Sequence, residues 1–195
     1  MSPAARPSSP SGDLALIAVF AALIAAFSIV PAIPLGPVPI TLQTLAVVLT
    51  GLVLGPWRAF AATALYLAVG LLGLPVFAGG AGGLGVLGKP TIGYLLSFPI
   101  AALVAGGLVR AWVPAVRGLA LLWFFLAATA ASVVIHTAGI AGLMTILHVD
   151  LGKALAIDLP FVPVDLAKNV VAAGLAAAVH KAFPALLTWR RPATA

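Results

Sequence analysis

The chain carries too few charged residues to cover a water-exposed surface. Only 7% of its 195 residues are Asp, Glu, Lys or Arg, whereas 63% are hydrophobic. A soluble domain carries about a quarter charged residues. Most of this surface therefore has to face a lipid bilayer, which predicts an all-α integral membrane protein.

Six long apolar runs are candidates for membrane-spanning helices, because a span needs roughly 20 apolar residues. Proline or glycine marks most of their boundaries, as expected where a helical hydrogen-bond ladder stops. The predicted spans cover residues 14–31, 40–55, 57–73, 91–111, 118–147 and 164–186. We expect one six-helix membrane domain over residues 13–188, preceded by a disordered cytoplasmic tail, 1–12, and followed by a short cytoplasmic tail, 189–195.

The distribution of basic residues predicts the orientation. With six spans, both termini share one side with the second-to-third and fourth-to-fifth connections. That side holds Arg6, Arg58, Arg110, Arg117, Lys181, Arg190 and Arg191, whereas the other holds Lys89, Lys153 and Lys168. Basic residues concentrate on the cytoplasmic side, so both termini are expected there. The same residues form no cluster that could follow a phosphate backbone, so nucleic acid is not an expected partner.

The residue types present argue against an enzyme, a metal site or a bound cofactor. The chain has no cysteine and no glutamate, and no Ser–His–Asp set is suggested by context. His136 and His148 are twelve residues apart, which places them about 120° apart around a helix. We expect these histidines to serve in buried polar packing rather than as ligands to one metal ion.

Three connections on the predicted outer side differ from the short inner ones. They hold half of the prolines, the longest glycine cluster and most outward polar groups. Their sequences are "PAIPLGPVPITLQT" (31–44), "GLPVFAGGAGGLGVLGKPTIGY" (73–94) and "HVDLGKALAIDLPFVPVDLAK" (148–168). Binding sites are commonly built on loops held by a rigid scaffold. We therefore predict the functional site at the outer face.

Asp165 and Lys168 are the most informative pair in these connections. They lie three residues apart, on one face of the first turn of the last span. One interpretation is an interfacial salt bridge, with Lys168 extending to the membrane surface. The other is a binding site, where the lysine receives a carboxylate and the aspartate accepts hydrogen bonds. The scarcity of charge and the flanking Pro160 and Pro163 favour binding.

The other two outer connections supply further candidate ligand contacts. The glycines can lay the backbone against a ligand, form a flexible lid or simply connect two spans. The polar side chains can contact a ligand or form hydrogen bonds between helices. These candidates are Thr41, Gln43, Gly79, Gly80, Gly82, Gly83, Lys89, Thr91 and Tyr94.

The first predicted span carries a stripe of small residues, Ala18, Ala22 and Ala26. Small residues at four-residue spacing allow two helix backbones to approach closely. The stripe therefore predicts either packing inside the bundle or docking to another membrane protein.

Three of these segments together resemble the BioY family, the biotin-capturing S components of energy-coupling factor (ECF) transporters. The segments are "PVPITLQTL" (37–45), "GLPVFAGGAGGLGVLGKPTIGYLLSF" (73–98) and "PFVPVDLAKN" (160–169), and the resemblance covers about residues 14–186. It implies a six-helix S-component bundle in a bacterial or archaeal cytoplasmic membrane. Biotin would be bound with high affinity near the outer face.

The resemblance also implies roles for individual residues. Asp165 and Lys168 match a family segment, Pro-Gly-Asp-x-x-Lys, that is implicated in holding biotin. We expect Lys168 at the biotin carboxylate, while Asp165 either orients Lys168 or accepts from the ureido N–H groups. The alanine stripe would dock on a transmembrane T subunit, and two cytoplasmic ATPase subunits would bind ATP and power transport.

The chain departs from the family pattern at two positions. Lys89 enters a segment that usually reads Gly-Pro-Thr-Gly-Gly-Tyr, and Val164 stands where glycine usually precedes the aspartate. Two alternatives to biotin capture remain: an S component for another small vitamin, and a membrane scaffold that binds no ligand.

Overall fold

The described part of the chain is almost entirely helical. The computed structural model describes residues 10–112 and 119–186. Its α-helices are α1 (Pro10–Ile29), α2 (Gln43–Leu54), α3 (Pro56–Leu71), α4 (Ile92–Trp112), α5 (Ala120–Leu147), α6 (Leu151–Asp158) and α7 (Phe161–Ala182). Single 3-10 turns cover Ala78–Gly80, Leu84–Gly88 and Pro184–Leu186. The prediction of an all-α fold is confirmed.

All six predicted helices are present, with their ends shifted by a few residues. The first begins at Pro10, inside the predicted tail 1–12, while residues 1–9 and the tail 189–195 lie outside the described residues. The last begins at Phe161 rather than Val164. Pro163 is tolerated because backbone N–H groups in a first helical turn have no helical partner.

One helix, α6, was not predicted. It occupies eight residues of the last outer connection, and its start is capped by Asp150, whose side chain accepts a hydrogen bond from the Lys153 backbone N–H at 2.8 Å. Its helical segment is too short to produce a clear apolar repeat. The cap and the short helix bring Asp158 to the end of α6.

Four helices are long and apolar enough to cross a membrane: α1, α4, α5 and α7. The other two predicted spans are shorter, since α2 has 12 residues and α3 has 16. At 1.5 Å per residue, α2 extends roughly 18 Å. This is less than the hydrocarbon thickness of about 30 Å, so α2 by itself is too short to cross a bilayer.

Small residues bring the helices close together. Alanines with no exposed surface occur on α3, α4, α5 and α7, at Ala59, Ala62, Ala101, Ala102, Ala105, Ala127, Ala128, Ala131, Ala172 and Ala176. At the α4–α5 crossing, a Cβ atom on Gly142 would lie 2.8 Å from the Cα of Gly93. Only glycine permits this approach, which sets the beginning of α4 directly against α5.

Many large apolar side chains are exposed, and the mainly apolar interior also holds several polar side chains. Large side chains exposed on the helices include Leu14, Val19, Trp57, Ile100, Val133 and Val170. Buried polar or charged side chains include Gln43, Thr63, Ser132, Asp158, Asp165 and Asn169. An apolar surface suits a protein surrounded by lipid, where polar groups have to find partners inside the bundle.

Candidate functional site

A cavity of about 240 Å³ opens at one end of the bundle, between the segment before α2, the loop 77–91 and the first turns of α4 and α7. Much of its wall is apolar, with Val38, Phe77, Leu95, Phe98 and Phe161 among the contributors. Its polar contributors are Thr41, Gln43, Thr44, Lys89, Thr91, Tyr94, Asp165 and Lys168. Residues from all three outer connections therefore meet at one site.

Asp165 and Lys168 form the charged part of the wall. Lys168 Nζ lies 2.7 Å from Asp165 Oδ1 and donates a hydrogen bond to Thr44 Oγ1 at 3.1 Å. Thr44 Oγ1 in turn donates to Asp165 Oδ1 at 3.0 Å. The two charged side chains are only 11% and 10% exposed. Lys168 thus points into the bundle, in contrast to the interpretation in which it extends to the membrane surface.

Gln43 forms the hydrogen bond between helices that was one of its two predicted roles, and its role as a ligand contact stays a prediction. Its Nε2 donates to the hydroxyl of Tyr66 on α3, and that hydroxyl donates to the backbone oxygen of Val76 at 3.0 Å. Gln43 also lines the cavity, next to Thr41. The interhelical hydrogen bond fixes the amide at the wall, where it can contact a ligand.

The four candidate glycines lie beside the wall rather than on it. Ala78 and Ala81, their neighbours in the chain, line the cavity together with Phe77. Three of the glycines, Gly79, Gly80 and Gly83, have φ angles of 70°, 71° and 78°, a region that favours glycine. A Cβ on the fourth, Gly82, would meet the backbone of Leu74. The glycines therefore shape the loop that presents its neighbours to the cavity.

The remaining predicted contacts, Lys89, Thr91 and Tyr94, all line the cavity. Lys89 is exposed to solvent as well, which places it at the rim. Tyr94 lies deeper, with its hydroxyl donating to Asp158 Oδ1 at 2.7 Å.

Two residues behind the wall, His136 and Asp158, were not predicted to belong to the site. His136 Nδ1 lies 2.9 Å from Asp158 Oδ1, and its Nε2 lies 3.4 Å from Asp165 Oδ2. The expectation of buried polar packing agrees with these contacts for His136 and is wrong for His148, which is exposed at the end of α5. Asp158 is buried at the end of α6, the helix that was not predicted. The sequence signal for Asp158 is the scarcity of acidic residues, since the chain has only four aspartates and no glutamate.

The alanine stripe of α1 faces outward. Ala18, Ala22 and Ala26 are exposed, whereas Ala21, one residue from Ala22, is buried against the bundle. The stripe is thus available on the surface, and the adjacent positions provide the internal packing.

Comparison with known proteins places this arrangement in a family. The model of the BioY family matches residues 2–185. The biotin transporter BioY of Rhodobacter capsulatus is 40% identical over 192 residues, covering 91% of this chain and 98% of that protein. The biotin transporter BioY of Rhizobium etli is 41% identical over 179 residues, covering 89% and 96%.

A solved structure has the same fold. It is the crystal structure of the S component for biotin from an ECF-type ABC transporter, which matches with a TM-score of 0.82. The match covers 88% of this chain and 92% of that chain, at 25% sequence identity.

Proposed function

The chain belongs to the BioY family, and from this premise we propose that it is the biotin-binding, substrate-capture subunit of an ECF-type transporter. It mediates uptake of biotin and is not an enzyme. The observation that carries the proposal is the Asp165–Lys168 pair, which offers a carboxylate and an ammonium side by side to a largely apolar cavity.

The chemistry of this pair matches a cyclic urea. The ureido ring of biotin has an N–H donor next to a carbonyl acceptor, and Asp165 and Lys168 supply an acceptor next to a donor. Two parallel charge-assisted hydrogen bonds can form along this edge. The aromatic side chains of Phe77, Phe98 and Phe161 supply apolar surface for the thioether ring.

This assignment revises the expectation that Lys168 holds the biotin carboxylate. Lys168 is already paired with Asp165, so a carboxylate bound there would lie beside a second buried negative charge. A neutral ureido group leaves the charge of the pair balanced. The carboxylate therefore has to be accommodated elsewhere in the cavity.

We assign the carboxylate to Lys89. Lys89 and Lys168 are the only cationic residues that line the cavity within residues 10–112 and 119–186. Lys89 takes part in none of the ion pairs found among the described residues. At the rim, the carboxylate retains part of its hydration, which avoids the free-energy penalty of complete burial.

The contacts of the described residues support six spans with both termini in the cytoplasm. Arg58, at the start of α3, lies 2.7 Å from Asp13, at the start of α1. These starts therefore share one end of the bundle, opposite the cavity, as an even number of spans requires. Arg110 and Lys181, in the last turns of α4 and α7, belong to the same end. Arg6, Arg117, Arg190 and Arg191 lie outside the described residues.

The partners follow from the same proposal. A transmembrane T subunit docks on the exposed stripe Ala18, Ala22 and Ala26, because small residues let its helices approach closely. Two cytoplasmic ATPase subunits bind ATP and complete the transporter. The assembly is placed in a bacterial or archaeal cytoplasmic membrane, with the cavity opening outward.

Binding of labelled biotin to the purified chain in detergent tests the proposal. We expect saturable binding that unlabelled biotin displaces and unrelated vitamins do not. Preferential displacement by another vitamin would identify an S component of different specificity. A folded chain that binds none of these compounds would favour the scaffold function.

A further inference from the structure

A continuous polar network lies behind the inner wall of the cavity. Tyr94, on α4, donates to Asp158, at the end of α6. His136, on α5, contacts that same carboxylate oxygen of Asp158 through Nδ1 and faces Asp165, on α7, through Nε2. Tyr94 and Asp165 line the cavity, whereas His136 and Asp158 are absent from its lining. His136 and Asp158 therefore lie behind the residues that can contact a ligand. They are linked to the cavity wall through Tyr94 and Asp165.

The network brings two buried carboxylates together. Asp158 is 3% exposed and Asp165 is 7% exposed. Of the ion pairs found within residues 10–112 and 119–186, three involve these two residues, and the fourth joins Arg58 to Asp13. Lys168 can balance only one of the two carboxylates. A second buried carboxylate without a cation would be strongly unfavourable.

His136 is placed to supply the second positive charge. Both of its ring nitrogens face a carboxylate oxygen, at 2.9 Å and 3.4 Å. A neutral imidazole has a proton on only one nitrogen, whereas an imidazolium has one on each. With an imidazolium, Asp158 and Asp165 are balanced by His136 and Lys168. The two carboxylates lie at different ring nitrogens, so this arrangement is one of ion pairs rather than of a shared metal ion.

The two oxygens of Asp165 have separate partners. Oδ1 accepts from Lys168 and Thr44, whereas Oδ2 faces His136. Contacts on both oxygens restrict rotation of the carboxylate about its terminal bond. His136 therefore controls the direction in which Asp165 and its partner Lys168 face the cavity.

We propose that His136 is a positioning residue for the ligand: it lies as an imidazolium between Asp158 and Asp165 and holds the Asp165–Lys168 pair toward the cavity. The ligand is biotin, so this step rests on the proposed function. Asp158 has the corresponding role toward Tyr94, whose hydroxyl it holds. The titratable groups that surround this ring are Asp158 on α6, Asp165 and Lys168 on α7, and Tyr94 on α4.

The protonation state can be tested without any ligand. The chain has three histidines, His136, His148 and His180, so selective ¹⁵N labelling of histidine gives few signals. In the full-length chain at neutral pH, we expect the signals lost in His136→Gln to come from a ring protonated on both nitrogens. A neutral tautomer at His136 would overturn the proposal, whether or not the chain binds biotin.

The positioning role is tested by restoring the charge balance. We expect His136→Gln to weaken biotin binding about tenfold or more, since it leaves one buried carboxylate unbalanced. Adding Asp158→Asn removes that excess charge, while the asparagine oxygen can still accept from Tyr94 and the glutamine amide can still donate to Asp165. Binding should therefore return to within about threefold of the unchanged protein. His148→Gln is the matched control, with no expected effect, because His148 ends α5 and lies outside the network.

Calorimetry on the purified variants measures these affinities. Unchanged binding in His136→Gln, or a double variant as weak as His136→Gln, would overturn the proposal. If His136→Gln does not accumulate as folded protein, the double variant should still fold and bind, and its failure would count equally against the charge balance. Absence of biotin binding in the unchanged protein would instead count against the proposed function. The ¹⁵N signals of His136 would then still test whether its ring is an imidazolium.

Discussion

The two ends of the bundle are stabilised in different ways. At the cavity end, ion pairs and hydrogen bonds join the helices through Asp165, Lys168, His136 and their neighbours. The opposite end is packed through small residues. There, a Cβ on Gly106 would lie 2.6 Å from the backbone nitrogen of Pro56, at the start of α3.

The difference shows how a protein with few polar residues can build a specific site. Close packing at the far end brings α2, α3 and α4 together through van der Waals contacts, while the ion pair there joins Arg58 to Asp13. At the cavity end, buried charged side chains face one another across helices. Changes at the cavity end should therefore alter ligand affinity, whereas changes at the far end should alter stability.

The largest effect on binding is expected from Lys168→Ala. Removing the ammonium takes away the positive charge paired with the buried carboxylate of Asp165, and it removes a hydrogen-bond donor to the ligand. Biotin affinity should therefore fall at least about tenfold. Titration calorimetry on the purified variant measures the loss. Lys153→Ala, at an exposed position on α6 away from the cavity, is the control. Equal affinity in the two variants would contradict the assignment of the site.

The far end is tested by Gly106→Val. The added side chain meets the backbone at the junction of α2 and α3, and overpacking of this kind destabilises by about 1–3 kcal/mol. We expect a lower Tm in detergent, with normal biotin affinity in the folded fraction. Gly107→Val is a matched control on the same helix, since its Cβ has open space. A similar loss of Tm in both variants would show that helix propensity, rather than packing, determines the effect.

A smaller effect is expected from Lys89→Gln, and it should depend on the ligand. An exposed ion pair contributes about 0.2–1 kcal/mol, so biotin affinity should fall up to about fivefold. Biotin amide, which lacks the charged carboxylate, should bind the variant and the unchanged protein equally. Lys168→Ala should weaken both ligands. If Lys89→Gln affected the amide as much as biotin, the carboxylate would have to bind elsewhere.

The smallest effect on this chain itself is expected from Ala22→Leu. Ala22 is exposed on α1 and does not line the cavity, so biotin affinity and Tm should stay unchanged. Recovery of the T subunit with the tagged chain should nevertheless fall sharply, because the larger side chain separates the two helices. Val170→Leu, at an exposed position on α7, is the control. Normal recovery of the T subunit with Ala22→Leu would exclude the stripe as the docking surface.

The predicted segments meet at one cavity, while the binding role of Asp165 and Lys168 stays a prediction. Both residues line the cavity, as do Thr41, Gln43 and Tyr94. Their spacing and their place at the start of an apolar run are local features, which a sequence displays directly. The hydrogen bond of Gln43 to Tyr66 became visible only in the structure, because Tyr66 is 23 residues away on another helix.

The amino-acid sequence by itself determined that this is a helical membrane protein, where its main helices lie and which segments meet at the site. Apolar composition, proline and glycine boundaries and the short family segments are all properties of neighbouring residues. The tertiary structure alone decided that α6 exists as a separate helix, that the glycines support the wall rather than form it, and that His136 lies between Asp158 and Asp165. Those contacts join residues on three helices, and their distances depend on how the helices pack.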